Sequence, residues 1–348
     1  MNLPKSMNAA VLLKLNSNLK ILNLKIPKVR KGQVLVKIFY SAICKSQIEE
    51  IFGGRKNKSY LPHLLGHEGS GKVLAIGNGV CKVKINDDVI LTWIKSKGQD
   101  SANPEYFYKN IKINSGKVTT FSNYVIVSEN RLIKKPDYLS YKNAVLLGCS
   151  FMTGAGMVLN DLQIKKESKI LLIGLGAIGL SVFLTLKAKG FRKIILIEKN
   201  KEKFSLARSI GVKFMFHSLS KKTENQIYNI FKGKPDICLE TAGITKTIEF
   251  GFRLIKNDGK VHFASHPNSK IYLKIYPHDL ICGKKITGSW GGGCLPDRDV
   301  KRFAPILRKN QSLFNRILNK EYRLDQINDA IKHFKNSKIF RPIIKMEH

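Results

Sequence analysis

Three separated side chains have the chemistry of a metal site. Cys44 lies in "SAICKSQIEE", His67 in "LLGHEGSGKV" and Cys149 in "LLGCSFMTGAG". Thiolate and imidazole are donors that zinc takes. Distance along the chain does not by itself join them. Taken singly, each cysteine reads first as a small buried thiol and the histidine as a satisfied core residue. Their surroundings point the other way: glycines and Glu68 flank His67, and Cys149 stands where an apolar run gives way to a glycine-rich turn.

A second pattern is more specific. Gly174-Leu175-Gly176-Ala177-Ile178-Gly179 follows the apolar run "KILLI", opens "AIGLSVFLTLKAKG", and precedes "KIILI", which ends at Glu198. Strand, glycine turn, helix and strand with an acid 19 residues after Gly179 is the arrangement that binds a dinucleotide. Gly174 permits the tight turn, Gly176 lets the pyrophosphate approach, and Gly179 lets helix and strand pack closely. The helix start offers free N–H groups to phosphate. Glu198 can accept from both ribose hydroxyls and would repel a 2′-phosphate, which favours NAD over NADP. Lys199 and Lys203 soften that preference.

These residues need two kinds of scaffold. Up to about residue 150, runs such as "GQVLVKIFYSAI" and "DDVILTWI" alternate with Gly, Asn and Asp, which predicts short strands. The stretch 94–120 is rich in Lys, Asn, Ser and Gly and reads as a surface excursion. After 150, near-continuous apolar strands predict a parallel sheet covered on both faces. The tail "LDQINDAIKHFKNSKIFRPIIKM" reads as a helix and a last strand.

Composition narrows the class. The chain of 348 residues is 43% hydrophobic and 25% charged, as globular proteins are. Its formal charge of +36 raises nucleic acid as a partner, but only 12 of 61 basic residues are arginine and the lysines are spread throughout. A solvated basic surface with no specific nucleic-acid partner is the expectation. The six cysteines are scattered, without a C-x-x-C pair, so they suggest free thiols in a reducing, cytoplasmic setting. No apolar run is long enough for a membrane span.

Together these stretches make the chain resemble the zinc-containing medium-chain dehydrogenases, which include alcohol dehydrogenases. The likeness runs over nearly the whole chain: "MNAAVL", "GQVLVKI", the Cys44 segment, "GHEGSGKV", "LLGCSFMTG", "GLGAIG", "IEKNKEKFSLARSIGV" and "RPIIK". "LLGCSFMTG" looks closest to the class III-like branch. The resemblance implies a GroES-like, mostly β catalytic domain over 1–150, a doubly wound NAD-binding Rossmann domain over 151–289, and a return to the catalytic domain over 290–348.

It also implies roles. Cys44, His67 and Cys149 would hold one catalytic zinc ion per subunit, and Glu68 would assist ligand exchange. Ser46 would pass an alcohol proton outward. Glu49 stands where several relatives end that relay with a histidine. Lys45 and Arg341 would meet the cofactor pyrophosphate, Thr153 the nicotinamide, and Ile178 and Lys203 would complete the nucleotide contacts. The reaction would interconvert an alcohol and a carbonyl compound, in a homodimer or homotetramer. Trp93, Phe121 and Trp290 are candidates for shaping the substrate pocket.

Three departures stand out. The loop 94–120 lacks the four cysteines of a structural zinc site. Glu49 replaces the relay histidine. Gln47 replaces an aspartate that accepts from a metal-bound histidine, and brings no charge. Two other readings stay open: a zinc-free quinone or enone reductase of the same superfamily, and a basic nucleic-acid-associated protein that retains the fold.

Overall fold

A computed structural model describes residues 3–53, 60–265 and 271–348. The chain divides into two compact units, Met1–Met152 with Leu295–His348, and Thr153–Cys294. These junctions lie two and five residues beyond the 150 and 289 expected from sequence. The helix Ser150–Leu159 runs through the first without a break. At the second, Gly292 packs so closely on Gly156 that a Cβ there would lie 2.8 Å from the Gly156 Cα.

In the first unit, the strand Gln33–Ala42 is the organising element. It pairs antiparallel with Glu68–Ile76, with Tyr124–Ser128 and with Ile343–Lys345. The last pairing returns the C-terminal segment to the strand that leads into Cys44. Val34, Val36 and Ile38 alternate into a core that also holds Val73, Val89, Leu91, Val125 and Ile344. Alternation of this kind buries one face of each strand.

The stretch 94–120 differs from its reading as a surface excursion. It carries a hairpin, Tyr106–Tyr108 with Ile111–Ile113. Tyr106 and Ile113 are buried against Met7, Val11 and Leu64. The polar residues of this stretch hide the signal, because a three-residue strand presents too few alternations to stand out.

In the second unit, six parallel strands lie in the order Phe214–Phe216, Ile194–Ile197, Ile170–Ile173, Ile237–Glu240, Lys260–Phe263, Lys285–Gly288. The sheet runs outward both ways from the strand before the glycine turn, as in a doubly wound fold. Ile170–Ile173 is buried along its whole length, as two-sided cover requires. The expected pair of a GroES-like unit and a Rossmann-like unit is therefore the fold observed. Among the described residues, no single helix is long and apolar enough to cross a membrane.

Candidate metal centre and dinucleotide turn

Cys44 follows the strand Gln33–Ala42 and caps the start of the helix Lys45–Ile51. His67 stands immediately before the strand Glu68–Ile76. Its neighbour Gly66 has φ of 90°, and a Cβ there would lie 2.6 Å from Thr120 Oγ1 and 2.8 Å from the Phe121 nitrogen. Only glycine fits this turn. Cys149 closes the 3-10 turn Val145–Gly148. Gly148 there faces Leu91 O, which a Cβ would approach to 2.5 Å.

These elements bring together what the sequence separates. One ligand atom each from Cys44, His67, Glu68 and Cys149 lies within 4.8 Å of the others. The donor set suits zinc: two sulfurs, one imidazole nitrogen and a nearby carboxylate. His67 Nε2 and Glu68 Oε2 are buried and have no hydrogen-bond partner among the described residues. Buried polar atoms are rarely left so, and an ion between these groups would satisfy both.

The electrostatics of the cysteine pair agree. Cys149 donates its thiol hydrogen bond to Cys44, which outweighs burial and, with Arg341 and His67 nearby, holds the Cys44 thiol well below its usual range. The same hydrogen bond, together with burial, pushes Cys149 well above it. Cys44 is therefore the more readily ionised of the two, and the thiolate is the form that binds metal. The Trp93 side chain also hydrogen-bonds Cys149 and acts in the opposite direction.

Arg341 lies in this same cluster. It is buried and forms an ion pair with Glu68 Oε1. Gln47 does not accept from a histidine ring: its Oε1 accepts from the Gly66 N–H, one residue before His67. Ser46 and Glu49 are half-buried on the helix Lys45–Ile51, and Lys45 is exposed. Of the proposed pocket aromatics, Trp93 is half-buried, Phe121 is core and Trp290 is exposed.

The glycine turn divides its labour in the second unit. Gly174 has φ of 94°, and its carbonyl accepts from Thr241 Oγ1 at 3.0 Å. A Cβ on Gly179 would lie 2.0 Å from the Gly174 oxygen, so this glycine serves helix–strand contact. Gly176 is different: a Cβ there would meet nothing within 4 Å. That open face lies at the start of the helix Ala177–Ala188, whose N-terminus has no side-chain cap. A helix start with open space before it is the kind of place where a phosphate can be received.

Glu198 is already engaged by the backbone. Its Oε2 accepts from the Leu175 N–H at 2.6 Å, and its Oε1 from the Asn200 N–H at 2.9 Å. Lys203 Nζ lies 3.7 Å from Oε2. Each carboxylate oxygen keeps acceptor capacity, so ribose hydroxyls can still be bound. Ile178 is half-buried, and Thr153 is buried in the helix Ser150–Leu159.

Sequence reasoning missed Glu50, which is buried on the inner face of the helix Lys45–Ile51 and hydrogen-bonds Gln47. The one available signal was the three-residue spacing of Gln47 and Glu50, which places both on one helix face.

Comparison with known proteins agrees with this architecture. Residues 30–137 match the family described as the alcohol dehydrogenase GroES-like domain, and residues 177–309 the zinc-binding dehydrogenase family. Alcohol dehydrogenase 6 of Peromyscus maniculatus is 25% identical, with 97% of this chain and 96% of the relative covered. Alcohol dehydrogenase-like 3 of Arabidopsis thaliana is 27% identical over 91% and 90% of the two chains. The benzyl alcohol dehydrogenase of Acinetobacter calcoaceticus superposes with a TM-score of 0.88 at 24% identity, covering 99% and 100%. Acetophenone reductase of Geotrichum candidum, solved in complex with NAD, gives 0.78 at 21% identity, covering 99% and 98%. These matches show the family and not a branch within it. The chain belongs to the zinc-type medium-chain dehydrogenase/reductase family, as an alcohol dehydrogenase-like oxidoreductase.

Proposed function

We propose that this chain interconverts an alcohol and an aldehyde or ketone, using one zinc ion per subunit and NAD. The observation that carries the reading is the convergence of Cys44, His67 and Cys149, with His67 Nε2 buried and unpartnered among the described residues. When bound, zinc supplies Lewis acidity toward the alcohol or carbonyl oxygen, and the nicotinamide supplies the redox chemistry.

The chain's own residues do the rest. Cys44, His67 and Cys149 hold the metal. Ser46, two residues after the first ligand, accepts the alcohol proton and hands it outward, because a hydroxyl both donates and accepts. Glu49, half-buried on the same helix, is the next acceptor. The Arg341 ion pair holds the charge of Glu68 beside the ligands. Gly176 and the helix behind it receive the pyrophosphate, and Glu198 orients the adenosine ribose. Lys45 and Thr153 make the remaining cofactor contacts.

A second copy of the chain is the expected partner. Tyr272, Tyr276, Ile281 and Trp290 are all exposed in the second unit, on either side in sequence of the outer strand Lys285–Gly288. Large exposed apolar groups favour self-association.

The test combines zinc quantification with a screen of alcohols, polyols and aldehydes against NAD and NADP. Stoichiometric zinc and zinc-dependent turnover support the reading. Full activity without zinc overturns it, and favours the quinone or enone reductase.

A further inference from the structure

The helix Lys45–Ile51 carries a buried polar chain that ends at the Gly66 N–H, one residue before His67. Gln47 and Glu50 are 4% and 2% exposed. The Gly66 N–H donates to Gln47 Oε1. Gln47 Nε2 donates to Glu50 Oε2 at 3.2 Å. Glu50 Oε1 lies 3.4 Å from His63 Nε2. His63 in turn packs edge-on against Tyr60, with ring centroids 5.3 Å apart. The chain thus runs from His63 through Glu50 and Gln47 to Gly66, next to the ligand.

The chemistry of the links is unequal. Gln47 is neutral, and an uncharged amide alone holds the Gly66 N–H only weakly. Its N–H end, however, faces a carboxylate. A charge-assisted bond at that end polarises the amide and makes its carbonyl a stronger acceptor, and the low-dielectric surroundings enlarge the effect. Glu50 is buried, so its position costs desolvation free energy that such bonds must offset.

We propose that Glu50 is a positioning residue for the metal centre. It supplies, one helical turn further out, the negative charge that Gln47 lacks. Through the Gln47 amide it fixes the Gly66–His67 backbone so that the imidazole meets Cys44 and Cys149. This rests on the metal-site reading above, and the test separates the two.

The experiment measures zinc affinity by chelator competition, and the visible spectrum of the cobalt(II)-substituted protein, in three chains: the natural one, Glu50→Gln, and the exchange variant Gln47→Glu/Glu50→Gln. Glu50→Gln keeps the shape and removes the charge. Zinc should then bind about tenfold more weakly, the usual lower range for lost outer contacts. The cobalt absorption bands should shift as the imidazole reorients. The exchange variant retains a carboxylate–amide pair and moves the charge inward, so it should regain both affinity and spectrum.

A Glu50→Gln protein with unchanged affinity and spectrum overturns the proposal. So does an exchange variant that stays as weak as the single one; it is read on its own if Glu50→Gln fails to fold. A natural protein that takes up neither zinc nor cobalt overturns the metal reading itself, and this proposal with it.

Discussion

Arg341 closes its guanidinium on Glu68 beside the cysteine pair, joining residues 273 positions apart. Glu68 is fully buried and Arg341 almost so. A buried pair resists loss of one partner more than loss of both, because the survivor is left as an uncompensated charge. Arg341→Ala should therefore cost about 3–5 kcal/mol of stability. Adding Glu68→Gln should return part of that loss. Urea unfolding of the two chains checks this. Equal stability for Arg341→Ala and the natural chain would show that the pair is not formed in solution.

The glycine turn separates cofactor binding from folding. Gly176→Val places its side chain in open space, so melting should be unchanged while KM for NAD rises at least about tenfold, which corresponds to 1.4 kcal/mol of lost binding. Gly179→Val drives a side chain into the Gly174 carbonyl and should lower the melting temperature without any cofactor present. Calorimetry and steady-state kinetics on both variants distinguish the two effects. A cofactor KM for Gly176→Val equal to that of the natural chain would remove the phosphate site.

Zinc retention is expected to depend on all three ligands. Cys149→Ala should abolish both stoichiometric zinc and turnover. Chelator treatment of the natural protein should do the same, and added zinc should reverse it. Metal analysis before and after readdition decides; turnover that survives complete removal contradicts the assignment.

Acid stability should depend on Asp299. Burial alone would raise its carboxyl, but hydrogen bonds from Arg298, the Leu295 N–H and Arg302 outweigh this and hold it below the ordinary range. The folded value is depressed, so the stabilisation is complete above the unfolded value of about 3.9 and is lost as pH falls through the lower folded value. Asp299→Asn should be destabilised at neutral pH, and the gap to the natural chain should narrow below about pH 4. Denaturation series across pH 3–7 test the sign.

Gln47 stands where relatives carry an aspartate, and judged by charge alone Gln47→Asp would tighten zinc. In the structure the amide nitrogen faces the Glu50 carboxylate. An aspartate alone would set two carboxylates against each other, and like charges in low dielectric repel strongly. Gln47→Asp should therefore weaken retention unless Glu50 is also neutralised. Chelator competition on the single and double variants reports the direction.

By itself, the sequence determined the parts governed by local rules. The parallel strands are legible because both their faces are apolar, and the glycine turn because each glycine meets a steric demand within a few residues of itself. The antiparallel unit follows from alternation, as in Gln33–Ala42. The folded chain was needed for the pairings between distant groups, Arg341 with Glu68, Gln47 with the Gly66 N–H and Glu50 with His63, and for the burial of Tyr106. Spacing cannot reveal these. A side chain's partner is set by which strands lie side by side, and by which polar atoms remain unsatisfied once the core has closed around them.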